Sequence, residues 1–391
     1  MKRREFLEKT TTAIAILTPP FIAGLPSATL AAKGEWARTL ILVELKGGND
    51  GLNTIVPYAD PNYRKFRPNL ALGRDKVITL NERLGFHPIL EPLLPLWNDH
   101  QMAVALGVGY PDPNLSHFRS IDIWDTGSDS DVVMNDGWIS QLFTESSPPA
   151  HYAADAIVLG RYRPGPIIGD NARIISLANE PNKNLKKASK IDTASNLRAN
   201  PALLHLLKKR LDLREAAEAI IAKRIENVVM SNVFPDTNLG AQFAVAARLL
   251  SAGVEIPVIK LSINGFDTHV KQEQLHSELL GEVAGAVTTF ATEMKAQGLW
   301  EKVLIMTYSE FGRRPAENNS IGTDHGTSAP HFFLGGKVKG GFYGQQPKLV
   351  DLQNGNMKHT LHYRSLYATL AREWWGLDAY NIKEKSLNLI S

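Results

Sequence analysis

The chain has 391 residues, and its 43 Lys and Arg residues nearly balance its 40 Asp and Glu residues, for a formal net charge of +3. It contains no cysteine, which excludes disulfides, thiolate metal ligands, iron–sulfur clusters, a cysteine nucleophile and a lipoprotein cysteine. The charge is balanced and the sequence has no sustained basic stripe with interleaved aromatic residues, so no nucleic-acid partner is expected.

The first 32 residues have the pattern of an export signal. A twin-arginine motif, R-R-x-F-L, begins at Arg3, and a modestly apolar stretch follows at residues 13–25. Prolines interrupt this stretch, which is shorter than the roughly 20 apolar residues of a membrane-spanning helix, so no permanent anchor is expected. We predict a twin-arginine signal peptide at 1–32, recognised by the twin-arginine export machinery, and a mature protein that is periplasmic or secreted.

Strand-like and helix-like segments alternate along the mature chain. Apolar runs of strand length occur at residues 39–45, 102–108, 256–263 and 303–308. The clearest helical periodicity, at residues 275–294, connects the third run to the fourth. Such strand–helix–strand units are right-handed in nearly all cases, which puts both strand ends at the same edge of the sheet. This order predicts an α/β three-layer sandwich, with a mostly parallel central sheet flanked by helices.

The periodicity weakens between about residues 132 and 235. Prolines and polar residues are frequent there, and a charged helical pattern covers residues 201–227. We predict a helical insertion or cap at about 132–235 within a single domain at 33–391, because the sequences on both sides of it supply polar residues to one predicted site.

Carboxylates and histidines follow the strand-like runs. Asp50 follows the first run, Asp267 and His269 follow the third, Glu310 follows the fourth, and Asp324 and His325 come one short loop later. Ligand and catalytic groups of open α/β sheets collect outside the carboxyl ends of the strands, so these side chains are expected to converge. Without thiolates, such a carboxylate and imidazole set predicts a divalent metal site. Taken singly, each Asp is also an ordinary turn residue.

One hydroxyl has the position of a nucleophile. Ser116 follows the second strand-like run and precedes a predicted helix that begins with His117. A serine here is a natural N-cap. The free backbone N–H groups of a helix start also suit a nucleophile that attacks an anionic group. The sequence leaves both interpretations of Ser116 open, and His117 is either a supporting donor or a structural residue.

Five motifs in this order resemble the secreted family known as domain of unknown function 1501. They are GGNDGLN at 47–53, SHF at 116–118, FDTH at 266–269, SEFGR at 309–313 and GTDHG at 322–326. The resemblance covers nearly the whole mature chain. The family is similar in fold to the alkaline phosphatase, sulfatase and cofactor-independent phosphoglycerate mutase superfamily, which implies an alkaline-phosphatase-like fold.

The resemblance also implies roles for the matching residues. It implies a nucleophile at Ser116 and metal ligands at Asp50, Asp267, His269, Asp324, His325 and, as the last histidine, His331. The superfamily spacing Asp-x-x-x-His is replaced by D-T-H at 267–269, which leaves His276 as an alternative partner. Ser309 and Glu310 occupy the strand end where the Asp–His pair normally lies. Either Glu310 is therefore a ligand, or the pair folds back over it.

These residues predict metal-assisted hydrolysis of a phosphate or sulfate ester, with a small molecule or a glycan as the esterified group. One or two divalent metals are expected, zinc or manganese first, with calcium, magnesium and iron as alternatives. Ser116 would be the nucleophile. Arg313 would hold the non-bridging ester oxygens, because a guanidinium matches their geometry, although a surface ion pair is the simpler role for this residue.

A second function class stays open at this stage. The altered Asp–His spacing and the displaced Asp–His pair also suit a non-catalytic, secreted binding or assembly protein that retains the fold and a metal. A Ser-His-Asp esterase is disfavoured because the chain has no G-x-S-x-G motif. A formylglycine sulfatase is disfavoured because the pattern C-x-P-x-R is absent.

Overall fold

The computed structural model describes residues 34–160, 163–170, 172–177, 181–191, 201–379 and 381–391, so the predicted signal at 1–32 lies outside the described residues. Its strands are β1 (Thr39–Lys46), β2 (Ile55–Val56), β3 (Ile78–Thr79), β4 (Gly85–Phe86), β5 (Met102–Gly109), β6 (Ala156–Leu159), β7 (Ile174–Leu177), β8 (Val258–Asn264), β9 (Val303–Tyr308), β10 (Arg313–Glu317), β11 (Thr323–His325), β12 (Ala329–Gly335), β13 (Gly341–Gly344), β14 (Leu352–Gln353), β15 (Asn356–Met357) and β16 (Leu361–His362). Its α-helices are α1 (Pro61–Phe66), α2 (Leu94–Asn98), α3 (His117–Thr126), α4 (Trp138–Glu145), α5 (Pro181–Ala188), α6 (Pro201–Ala222), α7 (Asn238–Ser251), α8 (Gln272–Ala296) and α9 (Arg364–Thr369).

The central sheet has the strand order β13-β5-β12-β9-β1-β8-β6-β7, and β16 pairs with the end of β5. β1 is parallel to both of its neighbours, β8 and β9. β12 runs antiparallel to β5 and to β9, and the other pairs are parallel. The carboxyl ends of the parallel strands therefore share one edge, which is where α/β proteins hold their ligands.

Helices cover both faces of this sheet. On β1, Ile41, Val43 and Leu45 face the cluster that contains α7 and α8, whereas Leu40 and Leu42 face the cluster that contains α3, α4 and α9. Successive side chains of a strand point to opposite faces, so an apolar run without alternation is what a strand buried on both faces requires. The predicted α/β fold class, with a mostly parallel sheet between two helical layers, is confirmed.

Most of the predicted elements exist with small shifts of their ends. The four strand-like runs correspond to β1, β5, β8 and β9, and the strongest helical period corresponds to α8. Before β5, the chain forms a 3₁₀ segment, Pro88–Leu93, followed by the short α2, and not one continuous α-helix. Proline removes a backbone donor and clashes with the preceding turn, and Pro92 lies inside this segment.

The segment at about 132–235 contributes strands as well as helices. β6 and β7 extend the central sheet beyond β8, and α5 and α6 pack against β7. The four-residue runs AIVL and IISL are too short to show a strand period, so the sequence indicated only the helical part. Within the described residues, no helix combines the length and the apolar character needed to span a bilayer.

Candidate metal centre

Loops from neighbouring strands meet at the carboxyl edge of the sheet. β9, β1 and β8 are adjacent and parallel, so their following loops emerge together. Asp267 and His269 lie in the loop after β8, and Glu310 follows β9. The hairpin of β10 and β11 then places Arg313 opposite His325. Residues from distant parts of the sequence are thereby brought to one place.

Three donor atoms form a nearly equilateral triangle. Nε2 of His269 lies 3.0 Å from Nε2 of His325. Oδ1 of Asp267 lies 3.1 Å from the first nitrogen and 3.2 Å from the second. Ligand atoms that are each about 2.1 Å from a single ion lie about 3.0 to 3.4 Å from one another. The triangle therefore has the dimensions of a set of ligands around one metal ion.

His117, the first residue of α3, supplies a further donor. Its Nε2 is buried without a hydrogen-bond partner among the described residues, and it lies 3.4 Å from Oδ2 of Asp267. One ligand atom from each of His117, Asp267 and His325 lies within 4.8 Å of the others. A buried nitrogen without a partner calls for an ion or a water molecule, and this one faces the same carboxylate as the triangle.

The opposite nitrogen of each ring is held by an acceptor. Nδ1 of His117 lies 2.8 Å from Oε1 of Glu310, Nδ1 of His269 lies 3.1 Å from Oδ1 of Asp324, and Nδ1 of His325 lies 2.7 Å from the Leu115 carbonyl oxygen. Ionised carboxylate and carbonyl oxygens only accept hydrogen bonds, so each Nδ1 carries the proton. Each Nε2 then keeps a lone pair, and this arrangement is typical of metal-ligating histidines.

Electrostatic interactions favour the protonation states that ligation needs at Asp267 and His325, and oppose the neutral form at His117. Burial acts to raise the pKa of Asp267, but the hydrogen bond and charge of Arg313 outweigh it and hold this pKa at about 2. Burial lowers the pKa of His325. The hydrogen bond to Glu310 raises the pKa of His117, because the carboxylate stabilises the imidazolium when no metal is bound. Metal binding would therefore compete with protonation of His117.

Arg313 lies beneath the cluster. Its side chain is fully buried, and Nη2 is 2.6 Å from Oδ1 of Asp267. It also donates to the backbone oxygens of Gly47, Gly48, Phe266 and Thr323, and Nη1 lies 3.5 Å from Nε2 of His269. These contacts occupy the guanidinium, so its position differs from the exposed, substrate-facing one expected from the sequence. The motif S-E-F-G-R shows the arginine but does not show which way it points.

Asp50 lies on the same edge of the sheet, with its carboxylate turned to other partners. Arg67 contacts both oxygens, with Nη1 2.6 Å from Oδ2 and Nη2 2.8 Å from Oδ1, and both side chains are fully buried. The Leu52 amide and the Gln272 side chain donate to the same carboxylate. Burial acts to raise the pKa of Asp50, but Arg67 outweighs it and lowers this pKa. No sequence motif indicated Arg67, which lies in a loop-rich stretch.

Two further candidate histidines are buried elsewhere. Nε2 of His276, in α8, lies 2.9 Å from Oδ1 of Asn49, and burial lowers the pKa of this histidine to about 4. His331, in β12, packs its ring against Trp124 at 5.1 Å between centroids. Both ring nitrogens of His331 are buried without a partner among the described residues, and burial lowers its pKa to about 3. Neither ring contacts the donor triangle.

Ser116 occupies the N-cap position of α3 beside the cluster. It is exposed, and its side chain makes no capping hydrogen bond. The preceding residue, Leu115, supplies the oxygen that orients His325, and the following residue, His117, supplies a donor. The hydroxyl therefore lies on the segment that borders the cluster, and no capping hydrogen bond engages it.

The fold and the site define an α/β protein with a candidate His/Asp metal centre at the carboxyl edge of its sheet. Residues 109–384 match the family described as "Protein of unknown function (DUF1501)", and the chain belongs to this family. The family expected from the sequence motifs is therefore confirmed. No curated protein matches the chain significantly.

Several solved structures of other proteins are similar in fold to this chain. One is "Ps i-CgsB in complex with k-i-k-neocarrahexaose", which is 11% identical, with 89% of this chain and 75% of that chain covered and a TM-score of 0.42. A second is a protein in the alkaline phosphatase superfamily from Vibrio parahaemolyticus, at 10% identity, 88% and 67% coverage and a TM-score of 0.40. A third is the C-terminal periplasmic domain of EcEptC from Escherichia coli in complex with Zn, at 12% identity, 76% and 72% coverage and a TM-score of 0.35.

Proposed function

We propose that this protein is an exported, metal-dependent hydrolase of phosphate or sulfate esters. The observation that carries the proposal is the convergence of the His269 and His325 Nε2 atoms on Oδ1 of Asp267, at 3.0 to 3.2 Å. His117 adds a buried nitrogen without a partner beside the same carboxylate. Imidazole nitrogens that keep a lone pair and lie beside one carboxylate, with the opposite ring nitrogen held by an acceptor, are typical of metal-binding sites.

The donor chemistry favours one transition-metal ion. Imidazole nitrogens suit zinc and related transition metals, whereas calcium and magnesium prefer oxygen ligands. Three imidazoles and one carboxylate therefore support zinc first and manganese next. In this proposal the ligands are His117, Asp267, His269 and His325, while Glu310 and Asp324 orient two of the rings. Asp50, His276 and His331 lie outside the ligand set.

The net charge of the centre indicates which class of ester it would bind best. Asp267, Glu310 and Asp324 bring three carboxylates, and Arg313 brings one positive charge. A divalent ion then brings the centre close to neutrality. A centre without excess positive charge favours singly charged sulfate esters or phosphate diesters over doubly charged phosphate monoesters.

A bound divalent ion would polarise a non-bridging oxygen of the ester. The Ser116 hydroxyl would attack phosphorus or sulfur and form a new ester bond, while the bond to the original alcohol breaks and that alcohol takes up a proton. Water would then release sulfate from the serine or, where the substrate is a phosphate diester, the phosphate monoester that keeps the second alcohol. Backbone N–H groups at the start of α3 favour the negative charge near Ser116.

Metal content and hydrolysis together test this proposal. The protein, incubated with zinc and freed of excess metal, should retain about one ion per chain and hydrolyse 4-nitrophenyl sulfate or bis(4-nitrophenyl) phosphate faster than 4-nitrophenyl phosphate. His325→Ala should lose the ion and the activity. Ser116→Ala should lose activity and keep the ion. His151→Ala, which alters an exposed histidine paired with Glu255 outside the cluster, should match the parent protein in metal content and activity.

Two results would contradict the proposal in different ways. A parent protein that holds less than about one tenth of an ion per chain would refute the metal centre. A protein that holds its ion and hydrolyses none of the three esters would refute the enzymatic role. That second result would favour the alternative, a secreted binding or assembly protein that retains the metal.

Export by the twin-arginine route is part of the same proposal. The pair Arg3 and Arg4 precedes an apolar stretch without a long spanning segment. A reporter fused after residue 32 should reach the periplasm, and the double substitution Arg3→Lys, Arg4→Lys should retain it in the cytoplasm. Equal export of both fusions would contradict this route.

A further inference from the structure

Gln272, the first residue of α8, is an amide at the junction of the loops that carry the donors. Its side chain is fully buried. Oε1 accepts a hydrogen bond from Oγ1 of Thr268 at 3.0 Å and another from Oγ1 of Thr323 at 2.5 Å. Nε2 donates to Oδ2 of Asp50. One amide group therefore connects three separate segments of the chain.

The two threonines are neighbours of the metal-binding residues. Thr268 lies between Asp267 and His269, and Thr323 lies two residues before His325. A single oxygen atom of Gln272 thus ties together the two segments that supply all three corners of the donor triangle. A backbone hydrogen bond from the Thr323 amide to the Thr268 carbonyl, at 3.2 Å, joins the same two segments.

The orientation of the amide is fixed by its other end. A carboxylate only accepts hydrogen bonds, so the nitrogen of Gln272 must face Asp50 and the oxygen must face the threonines. Arg67 holds Asp50 through both carboxylate oxygens. Arg67 also donates to the carbonyl oxygens of Arg314 and Pro315 in β10, which leads into the hairpin that carries His325.

We propose that Gln272 is a positioning residue, which sets the distance between the donor segments, and that Asp50 and Arg67 lock its amide. This inference rests on the proposed metal centre. Loss of either threonine hydroxyl would leave a buried acceptor short of a donor and free one segment to move away from the other. Partners that orient metal ligands typically change metal affinity 10- to 100-fold when they are altered.

The two threonines offer a milder test than Gln272 itself, whose loss would also leave the Asp50 carboxylate short of a partner. In Thr268→Val and Thr323→Val the hydroxyl is lost while the shape is nearly kept. Titration with Co²⁺ should show dissociation constants raised about 10- to 100-fold and a changed visible absorption spectrum of the bound ion. Thr268→Ser and Thr323→Ser, which keep the hydroxyl, should restore values near those of the parent.

Thr369→Val is the matched control. Thr369 is fully buried and bonds to the Ser365 carbonyl oxygen and the Leu387 amide, within and beside α9. Its valine variant should lower thermal stability without changing Co²⁺ affinity or spectrum.

The outcomes separate the two levels of the proposal. A parent that binds Co²⁺, together with valine variants that lose thermal stability like the control and keep its affinity and spectrum, would overturn the positioning role alone. A parent that binds no Co²⁺ would overturn the metal centre and the positioning role with it.

Discussion

Two of the three imidazoles in the candidate centre are oriented by a carboxylate, and the third by a backbone carbonyl. Glu310 accepts from Nδ1 of His117 and also from the Gly47 amide at 2.9 Å, so it fixes this ring relative to the turn after β1. Asp324 accepts from His269 and from Asn318. Both carboxylates act through a histidine rather than as ligands in this account, which is a sharper assignment than the sequence allowed.

Glu310→Gln tests this assignment at the level of one residue. The substitution removes the charge that strengthens the hydrogen bond to Nδ1 and makes Nε2 of His117 a better ligand. We expect the zinc dissociation constant to rise about 10- to 100-fold, measured by competition with a chromogenic chelator. Glu384→Gln is the control, because Glu384 lies 3.5 Å from Nδ1 of His362 outside the centre. Equal affinities for Glu310→Gln and the parent would refute the role of Glu310.

The buried imidazole of His331, which has no partner among the described residues, should make the free energy of unfolding depend on pH. Burial lowers its pKa from 6.5 to about 3, so the unfolded chain takes up this proton at a higher pH than the folded chain. The stability that neutral His331 permits is therefore complete above pH 6.5 and is lost as the pH falls from 6.5 toward 3.

His331→Phe should weaken this pH dependence. Phenylalanine keeps a ring against Trp124 and does not titrate. In metal-free protein, the free energy of unfolding of the variant minus that of the parent should increase by about 1.4 kcal/mol for each pH unit below 6.5. Urea unfolding at pH 7 and pH 5 measures the difference. If the free energy of unfolding fell by the same amount from pH 7 to pH 5 in the parent and in the variant, His331 would not be buried in the neutral form.

The turn after β1 shows how an element positions the centre. Gly47 and Gly48 have φ angles of +116° and +83°, which side chains rarely adopt. A Cβ at Gly47 would also collide with the backbone of Phe266 and Asp267. The turn therefore lies directly against the loop that carries the shared carboxylate.

Gly47→Ala should disturb both folding and metal binding. Gly253→Ala is the control, because Gly253 has a φ of +71° and nothing lies within 4 Å of an added Cβ. The control should cost about 1 to 3 kcal/mol of stability through backbone strain alone and keep the parent's zinc affinity. Gly47→Ala should cost more and weaken zinc binding as well. Unchanged zinc affinity in Gly47→Ala would contradict the close packing of this turn against Asp267.

The elements that the sequence predicts well are those with a strong local period. β1, β5, β8 and β9 are runs rich in apolar residues, and α8 repeats its apolar residues at helical spacing along its 25 residues. The hairpin of β10 and β11 could not be predicted in this way. β11 has only three residues, T-D-H, which look like a turn, and its place depends on pairing with β10.

The site follows the same rule. The sequence indicated Asp267, His269 and His325 because each follows an apolar run or a clear motif. It did not indicate the direction of Arg313 or the partners of Asp50, because both depend on burial. Arg67 pairs with Asp50 across 17 positions, and Gln272 does so across 222 positions. Local patterns carry no record of such contacts.

The whole molecule should be more stable with metal than without it. The proposed ligands come from α3, from the loop after β8 and from the hairpin, so a bound metal would link parts of the chain that unfolding separates. A free metal concentration 100-fold above the dissociation constant should add about 3 kcal/mol to the free energy of unfolding.

Chelation should therefore lower the Tm of the parent protein, and added zinc should restore it. The His325→Ala variant serves as the control, since EDTA should leave its Tm unchanged. If neither EDTA nor zinc changed the Tm of the parent protein, that result would contradict a metal site that links these segments.

The most direct test of the proposed metal centre is anomalous X-ray diffraction from crystals of the zinc-loaded protein, recorded on both sides of the zinc absorption edge. We expect one strong peak, about 2.0 to 2.2 Å from Nε2 of His117, His269 and His325 and from a carboxylate oxygen of Asp267. Zinc bound instead at Asp50, His276 or His331, or no zinc peak at the carboxyl edge of the sheet, would contradict it.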